Sequence, residues 1–380
     1  MVKKERVIKL LRRLIAINSE NPPGNESAIA CFVGDYLQEI GLHPRFFTFK
    51  KNRTNVLALL EGKDATRTIL ITPHLDTVPA GKRWLRDPFQ GDIEKGKLYG
   101  LGATDCKVNL ACSLEVLRSF AEEKVKPESS IIFAATADEE SGSGLGLIPL
   151  LDKGILTPSL ALVLDADDFE IVITQKGLMH LKVKIEGKRA HGAYPWLGRN
   201  AIDNAIEVIA AIKAHTFLYR RNAYLKSPTV NVGTIKGGDK VNVVADWCEF
   251  ELDFRFMPGS AGKDILAEVK RIISAHAKKF SLEVEGIQEP YYIDESHPLV
   301  SGLKKSMRAH KVVARVRGSE GATVITFFQD KGIPAVATGF GSEGCAHIAD
   351  EFVKVENIYK GALVLEDFLK NYQCSEQRKG

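Results

Sequence analysis

The feature that most constrains this chain is a recurring unit, in which a short apolar run closes on a histidine or a carboxylate. Up to about residue 175 the runs NVLALLE, TILIT, SIIFAATA and LALVLDAD alternate with stretches of helical period, including a long helix after Asp105. Such runs read as buried, largely parallel strands joined by crossover helices. The expected architecture is an α/β sandwich, whose ligands gather at the carboxyl ends of the strands.

The pattern changes after ITQKG. In LMHLKVKIEG, Leu181, Val183 and Ile185 alternate with His180, Lys182, Lys184 and Glu186, the two-residue period of a strand with one wet face. A helix over roughly 201 to 215, strands in TVNVGTIKGG and WCEFELDFRF, a helix over roughly 261 to 279 and the strand SLEVEGI follow. That βαββαβ order is ferredoxin-like, and it interrupts the first domain. The chain of 380 residues exceeds the usual single-domain length. We place a catalytic domain over 1–176 and 292–380, with the insertion over 177–291. IPAVAT and an amphipathic helix from Val355 belong to the resumed domain.

With 44% apolar and 26% charged residues, the balance is that of a soluble globular protein. The net charge of +4 is small against 52 basic and 48 acidic residues, and no dense basic block tracks a phosphate backbone, so nucleic acid is not an expected partner. In MVKKERVIKLLRRLIAI, Lys9, Arg12 and Arg13 interrupt what would have to be an uncharged signal-peptide core. Val7, Leu10, Leu11 and Leu14 fit one face of a helix instead. No apolar segment reaches the length of a membrane span, so no membrane partner is expected. Cys31, Cys106, Cys112, Cys248, Cys345 and Cys374 include no CxxC pair, which fits reduced thiols and a cytoplasmic location and argues against a cysteine zinc site.

Five segments place metal-ligand residue types at the ends of apolar strands. ILITPHLDTVP carries His74 and Asp76 two apart on an extended segment, so one can ligate while the other orients it. YGLGATDCKVN carries Asp105 at a loop-to-helix junction, where an aspartate also serves as an N-cap. In FAATADEESGSG, Glu139 and Glu140 point different ways, leaving one for metal and one free as a base. LALVLDAD offers Asp165, with Asp167 as its rival, and GCAHIADE carries His347 in a Gly-flanked loop. Each alone has an ordinary reading as a surface pair, turn acid or loop histidine. Two histidines among several carboxylates, all at strand ends, make a nitrogen and oxygen donor set suited to zinc or cobalt.

Together, NPPGNE, HLDTVP, GLGATDCK, DEESGSGLG, TQKG, RAHGAYPWLGRNAI, DFRFMPG and GCAHIADEF resemble the two-zinc exopeptidase and deacylase family that includes acetylornithine deacetylase, succinyl-diaminopimelate desuccinylase, carboxypeptidase G and aminoacylase. The resemblance spans nearly the whole chain. It implies a zinc-exopeptidase-like α/β sandwich with an inserted lid and dimerisation domain, two divalent ions per subunit and a homodimer. By motif, Asp105 would bridge both ions, His74 and Asp165 complete one site, and Glu140 and His347 complete the other. Glu139 becomes the general base and Asp76 the partner of His74. His191 matches a lid histidine that reaches the partner subunit's site, while Asn242 and Arg255 match lid positions that hold the substrate or its carboxylate.

Three departures stand out. Cys106-Lys107-Val108 replaces the usual small apolar residue and glycine pair after the bridging aspartate, Asp165 replaces the glutamate of many members, and RGSEGATVITFF lacks an expected Asp. The implied chemistry is hydrolysis of the amide bond of an N-acyl amino acid by metal-activated water, with Glu139 moving the proton. A carboxypeptidase or dipeptidase acting on short peptides is the alternative. A two-metal phosphoesterase would need phosphate clamps, for which only Arg255 and Lys107 offer themselves, and a non-catalytic binder would not need both Glu139 and Glu140.

Overall fold

The computed structural model describes residues 1–373, which form two compact units; Cys374 lies outside the described residues. The first unit comprises Met1–Ile173, Ile293–Arg317 and the chain from Phe327 onward. Its sheet runs, in spatial order, through Arg45–Lys50, Arg53–Leu60, Ser129–Ala135, Asp64–Thr72, Leu160–Leu164, Ala335–Thr338 and Glu170–Gln175. Ser129–Ala135, Asp64–Thr72, Leu160–Leu164 and Ala335–Thr338 are mutually parallel, as their apolar runs predict. Leu160–Leu164 is buried at every position.

Arg53–Leu60, the run containing NVLALL, is antiparallel to both its neighbours. Only Lys51 and Asn52, the latter in the left-handed region at φ 65, separate it from Arg45–Lys50. A connection that short makes a hairpin, whereas a parallel pairing needs a long crossover.

Helix Lys107–Glu123, nearly all of it buried, packs against Lys4–Ile15 and Val355–Asn371. Lys4–Ile15 buries Val7, Leu10, Leu11 and Leu14 and exposes Lys9, Arg12 and Arg13, as the spacing predicts. Each leucine fully withdrawn from water adds roughly 1.5–3 kcal/mol. Among the described residues, no helix is long and apolar enough to cross a membrane, and Cys31, Cys106, Cys112, Cys248 and Cys345 are unpaired.

The second unit comprises Thr174–Tyr292 and Gly318–Thr326. Its antiparallel strands lie in the order Thr229–Gly237, Trp247–Phe256, Gly177–Glu186, Phe280–Gln288, the ferredoxin-like arrangement. Met179, Leu181, Val183 and Ile185 alternate into a core with Phe250, Leu252 and Phe254, closed by Val208 of helix Ala201–Ala214 and Val269 of helix Gly262–His276. Gly318–Thr326 joins this unit through Gln175, whose Oε1 accepts the Thr323 N–H at 2.9 Å, and through an ion pair of 2.6 Å between Lys176 and Glu320.

Candidate metal centre

His74, Glu139, Glu140 and Asp165 follow the ends of buried strands, Asp105 precedes a buried helix, and His347 lies in the loop between Ala335–Thr338 and Phe352–Lys354. His74 follows Asp64–Thr72 and continues the parallel pairing to Thr136. Asp105 precedes helix Lys107–Glu123 but does not cap it, because Cys106 holds the cap position without a side-chain bond. Its carboxylate turns to two histidines: His74 Nε2 lies 2.9 Å from Oδ1, and His347 Nε2 lies 3.1 Å from Oδ2.

His74 also lies 3.7 Å from Asp165 Oδ1, and His347 lies 3.2 Å from Glu140 Oε1. Ligand atoms of His74, Glu139 and Asp165 fall within 4.8 Å of one another, as do those of Asp105, Glu140 and His347. Asp167 stands apart from both groups: its backbone bridges to Gly341, and burial raises its carboxyl to about 8. Cys106 approaches His74 and Asp105, but its sulfur accepts the His74 N–H and burial pushes the thiol up to about 12. That thiol would be a poor ligand, since thiolate is the coordinating form.

The turn carrying Glu139 and Glu140 is a short 3₁₀ segment, Glu139–Ser141, rather than the end of an extended strand. Asp76 fixes it. Its Oδ1 accepts the Glu139 N–H and its Oδ2 the Glu140 N–H, both at 3.1 Å, while Asn21 Nδ2 donates to Oδ2 at 2.9 Å. His74 Nδ1 meets the backbone carbonyl of Asp76 at 2.9 Å and its carboxylate only at 3.7 Å. The ring is therefore oriented by the carbonyl, and the carboxylate serves the glutamate turn.

Sequence reasoning missed a second layer behind this turn. Arg53, buried, pairs with Glu26 at 2.7 Å and with Asp138 at 2.6 Å, and Asp138 Oδ2 accepts the Leu145 N–H at 2.9 Å. Gly146 closes the loop against Ala137, where a Cβ would fall 1.8 Å from the carbonyl oxygen. A buried arginine in RTNVLALL facing acids in NPPGNES and TADEE was the available signal, but the pairing is long-range and leaves no local pattern. Glu351 was missed as well.

The electrostatics fit cations. Burial alone would raise the Asp105 carboxyl, but hydrogen bonds from His347 and His74 hold it well below the usual carboxylate range. Hydrogen bonds to Asp105 and Glu140 lift His347 to about 11. Burial opposes a rise at His74, yet Asp105, Asp165 and Asp76 carry it well above the histidine norm. Burial, reinforced by Asp165, raises Glu139 well above the glutamate norm. The carboxylates of Asp76, Asp105, Glu140 and Asp165 thus draw protons onto two imidazoles. Two divalent ions, sharing Asp105, would neutralise this excess through nitrogen and oxygen donors.

His191, Asn242 and Arg255 belong to the second unit. The structure brings the first two together: the Gly192 N–H donates to the Asn242 carbonyl at 2.8 Å, and His191 bridges to Val243. His191 is exposed, and its Nδ1 accepts the Ala193 N–H at 3.0 Å. Arg255 instead grips Asp253 of its own strand with two bonds, of 2.7 and 3.0 Å. His180 approaches the same carboxylate at 3.2 Å.

Residues 70–371 match the model of peptidase family M20/M25/M40. An uncharacterised metallohydrolase of Methanocaldococcus jannaschii is 28% identical, covering 96% of this chain and 99% of that protein. Acetylornithine deacetylase of Edwardsiella ictaluri is 27% identical, covering 96% and 97%. Among solved structures, aminopeptidase PepT from Bacillus cereus superposes with a TM-score of 0.82 at 23% identity, covering 97% of this chain and 98% of that one. With the family model spanning most of the chain and the donor groups gathered around Asp105, the protein belongs to peptidase family M20/M25/M40 and is a metallohydrolase of amide or peptide bonds.

Proposed function

We propose that this protein removes the acyl group from N-acyl amino acids, as an acetylornithine deacetylase or succinyl-diaminopimelate desuccinylase does. The observation that carries the reading is the Asp105 carboxylate shared between His74 and His347, with the high-pKa carboxyl of Glu139 beside it. The similarity to acetylornithine deacetylase along nearly the whole chain favours the deacylase branch. Hydrolysis of short peptides is the second reading, favoured by the match to a peptidase family model.

Asp105, His74 and Asp165 would hold one ion, and Asp105, Glu140 and His347 the other, with zinc the expected metal and cobalt able to replace it. When bound, the ions supply Lewis-acid polarisation of the scissile carbonyl and acidify water. Glu139 takes the proton on its carboxylate and returns it to the leaving amine. Glu140 is assigned as the ligand with Asp105 and His347, whose group it shares, and Glu139, whose carboxylate groups with His74 and Asp165, is assigned the proton as the family resemblance implies.

His191 donates where negative charge develops on the carbonyl oxygen, acting across a homodimer formed through the inserted unit. Exposed Tyr194, Trp196 and Leu197, just after His191 in the sequence, support a surface for a second copy. Asn242 and Arg255 hold the substrate carboxylate, for which Arg255 must release Asp253. The reduced cysteines suit the cytoplasm.

The test is a turnover panel of N-acetyl and N-succinyl amino acids, dipeptides, tripeptides and a phosphodiester, run on chelated protein reloaded with zinc or cobalt. Acylated amino acids should turn over fastest. Exclusive cleavage of peptides would move the assignment to the second reading, and cleavage of the phosphodiester alone would discard both.

A further inference from the structure

Glu351 is four residues past His347, is 1% exposed, and among the described residues faces no cation at hydrogen-bond distance. Its carboxylate accepts backbone N–H groups alone: Gly102 on Oε2 at 2.9 Å, and Thr104 and Asp105 on Oε1 at 2.7 and 3.0 Å. Its own carbonyl accepts the Gly100 N–H at 2.9 Å. The stitching continues on both sides, where Thr104 Oγ1 donates to the Phe352 carbonyl at 2.7 Å and accepts the Ser342 N–H at 3.1 Å. The loop that presents Asp105 and the segment that presents His347 are thus one hydrogen-bonded body.

Burying a carboxylate is costly, and three backbone donors converging on it repay that cost only where the loop is held in this one shape. His347 and Asp350, which flank the turn into Glu351, both have positive φ, at 59° and 54°. Strain of that kind persists only where the surroundings over-determine the backbone. His74 is held at the end of its own strand through the pairing to Thr136 and the bond to the Asp76 carbonyl, and it is tied to Asp105 through the neighbouring Cys106, whose sulfur accepts the His74 N–H at 3.2 Å.

We propose that Glu351 is a positioning residue that locks Asp105 and His347 to each other, so that the donor group of Asp105, Glu140 and His347 is preformed for its ion. The inference rests on the reading of Asp105 as a shared ligand. Without Glu351, Asp105 keeps its place beside His74 but loses its fixed relation to His347. The two ion sites should therefore respond unequally, which general loosening of the fold would not produce.

The experiment titrates chelated Glu351→Gln and wild type with Zn²⁺ and Co²⁺, following heat and the cobalt visible spectrum. Val353→Ala serves as a stability control, because Val353 is fully buried in the adjacent strand Phe352–Lys354 and touches none of these bonds. We expect the first ion to bind Glu351→Gln within a few-fold of wild type and the second to bind about 10- to 100-fold more weakly. Val353→Ala should melt earlier with both affinities kept. Equal weakening of both ions, or no weakening, in Glu351→Gln would overturn the positioning role while leaving the shared-ligand reading intact. Fewer than two ions on wild type would overturn both.

Discussion

Asp76 accepts the backbone N–H of Glu139 on Oδ1 at 3.1 Å, so the aspartate two residues after His74 also sets the peptide carrying the assigned base. Glu139→Gln keeps the shape of that turn but cannot take a proton. It should bind two ions and melt like wild type while kcat falls by about 10²–10⁴-fold. Steady-state kinetics on metal-replete protein decide this, and near-normal turnover would remove Glu139 from the role.

Asp76→Asn should act at one remove. One acceptor oxygen becomes an amide donor facing the N–H groups of Glu139 and Glu140 or the Asn21 amide, so the glutamate turn shifts. The expected loss is about 10- to 100-fold in kcat or metal affinity, smaller than for Glu139→Gln. The double variant should lose little more than Glu139→Gln alone, since both act through one group.

Asp105→Ala should cost more metal than loss of either histidine, because its two oxygens serve two donor groups. Elemental analysis of purified protein should find fewer than one ion per chain. Two retained ions would show that Asp105 bridges nothing.

His191→Ala should lower kcat with metal content unchanged, since a bond made to developing charge matters most in the transition state. Mixed with Glu139→Gln under conditions of verified subunit exchange, it should regain activity through hybrid dimers holding one intact composite site. Exchange without recovery would confine His191 to its own subunit.

His297 caps helix Pro298–Ala309 by accepting the Leu299 N–H on Nδ1 at 3.1 Å, which requires a neutral ring. Burial lowers its pKa below the histidine norm, partly offset by Asp294. The unfolded chain therefore binds the proton more readily. The cap's contribution is complete above the unfolded value of about 6.5 and is lost as pH falls through it toward the lower folded value. Between pH 7.5 and 5.5, wild type should lose more stability than His297→Asn, whose cap does not titrate, by at most about 1.4 kcal/mol, the ceiling for one proton whose unfolded value is about 6.5. Urea midpoints of both proteins in the same chelated state measure the difference.

The donor set was legible because each buried strand announces itself as an apolar run and its ligand follows immediately, as in TILITPH and LALVLD. The apolar run alone left Asp165 and Asp167 as rivals, since both follow it, and the family motif chose Asp165. The alternation of Leu181, Val183 and Ile185 gave the second sheet directly. Arg53, Asp138 and Glu351 stayed hidden because a buried charge is defined by partners distant in sequence, and the periodicity of its own segment does not register it. The orientation of Arg53–Leu60 was lost for a related reason: apolar content reports burial, while the two-residue connection before it decides direction.

His347 comes from a strand-end loop that follows the inserted unit, whereas His74, Asp105, Glu139, Glu140 and Asp165 all precede it. During synthesis, the group containing His74 and Asp165 is therefore complete in covalent terms while the whole inserted unit is still to be made. The group containing His347 waits until the inserted unit has been translated. Since ligand binding stabilises whichever folded form presents the ligands, metal uptake by the nascent protein should be stepwise, with the second ion acting as a late seal on a chain that has threaded out to its insertion and returned.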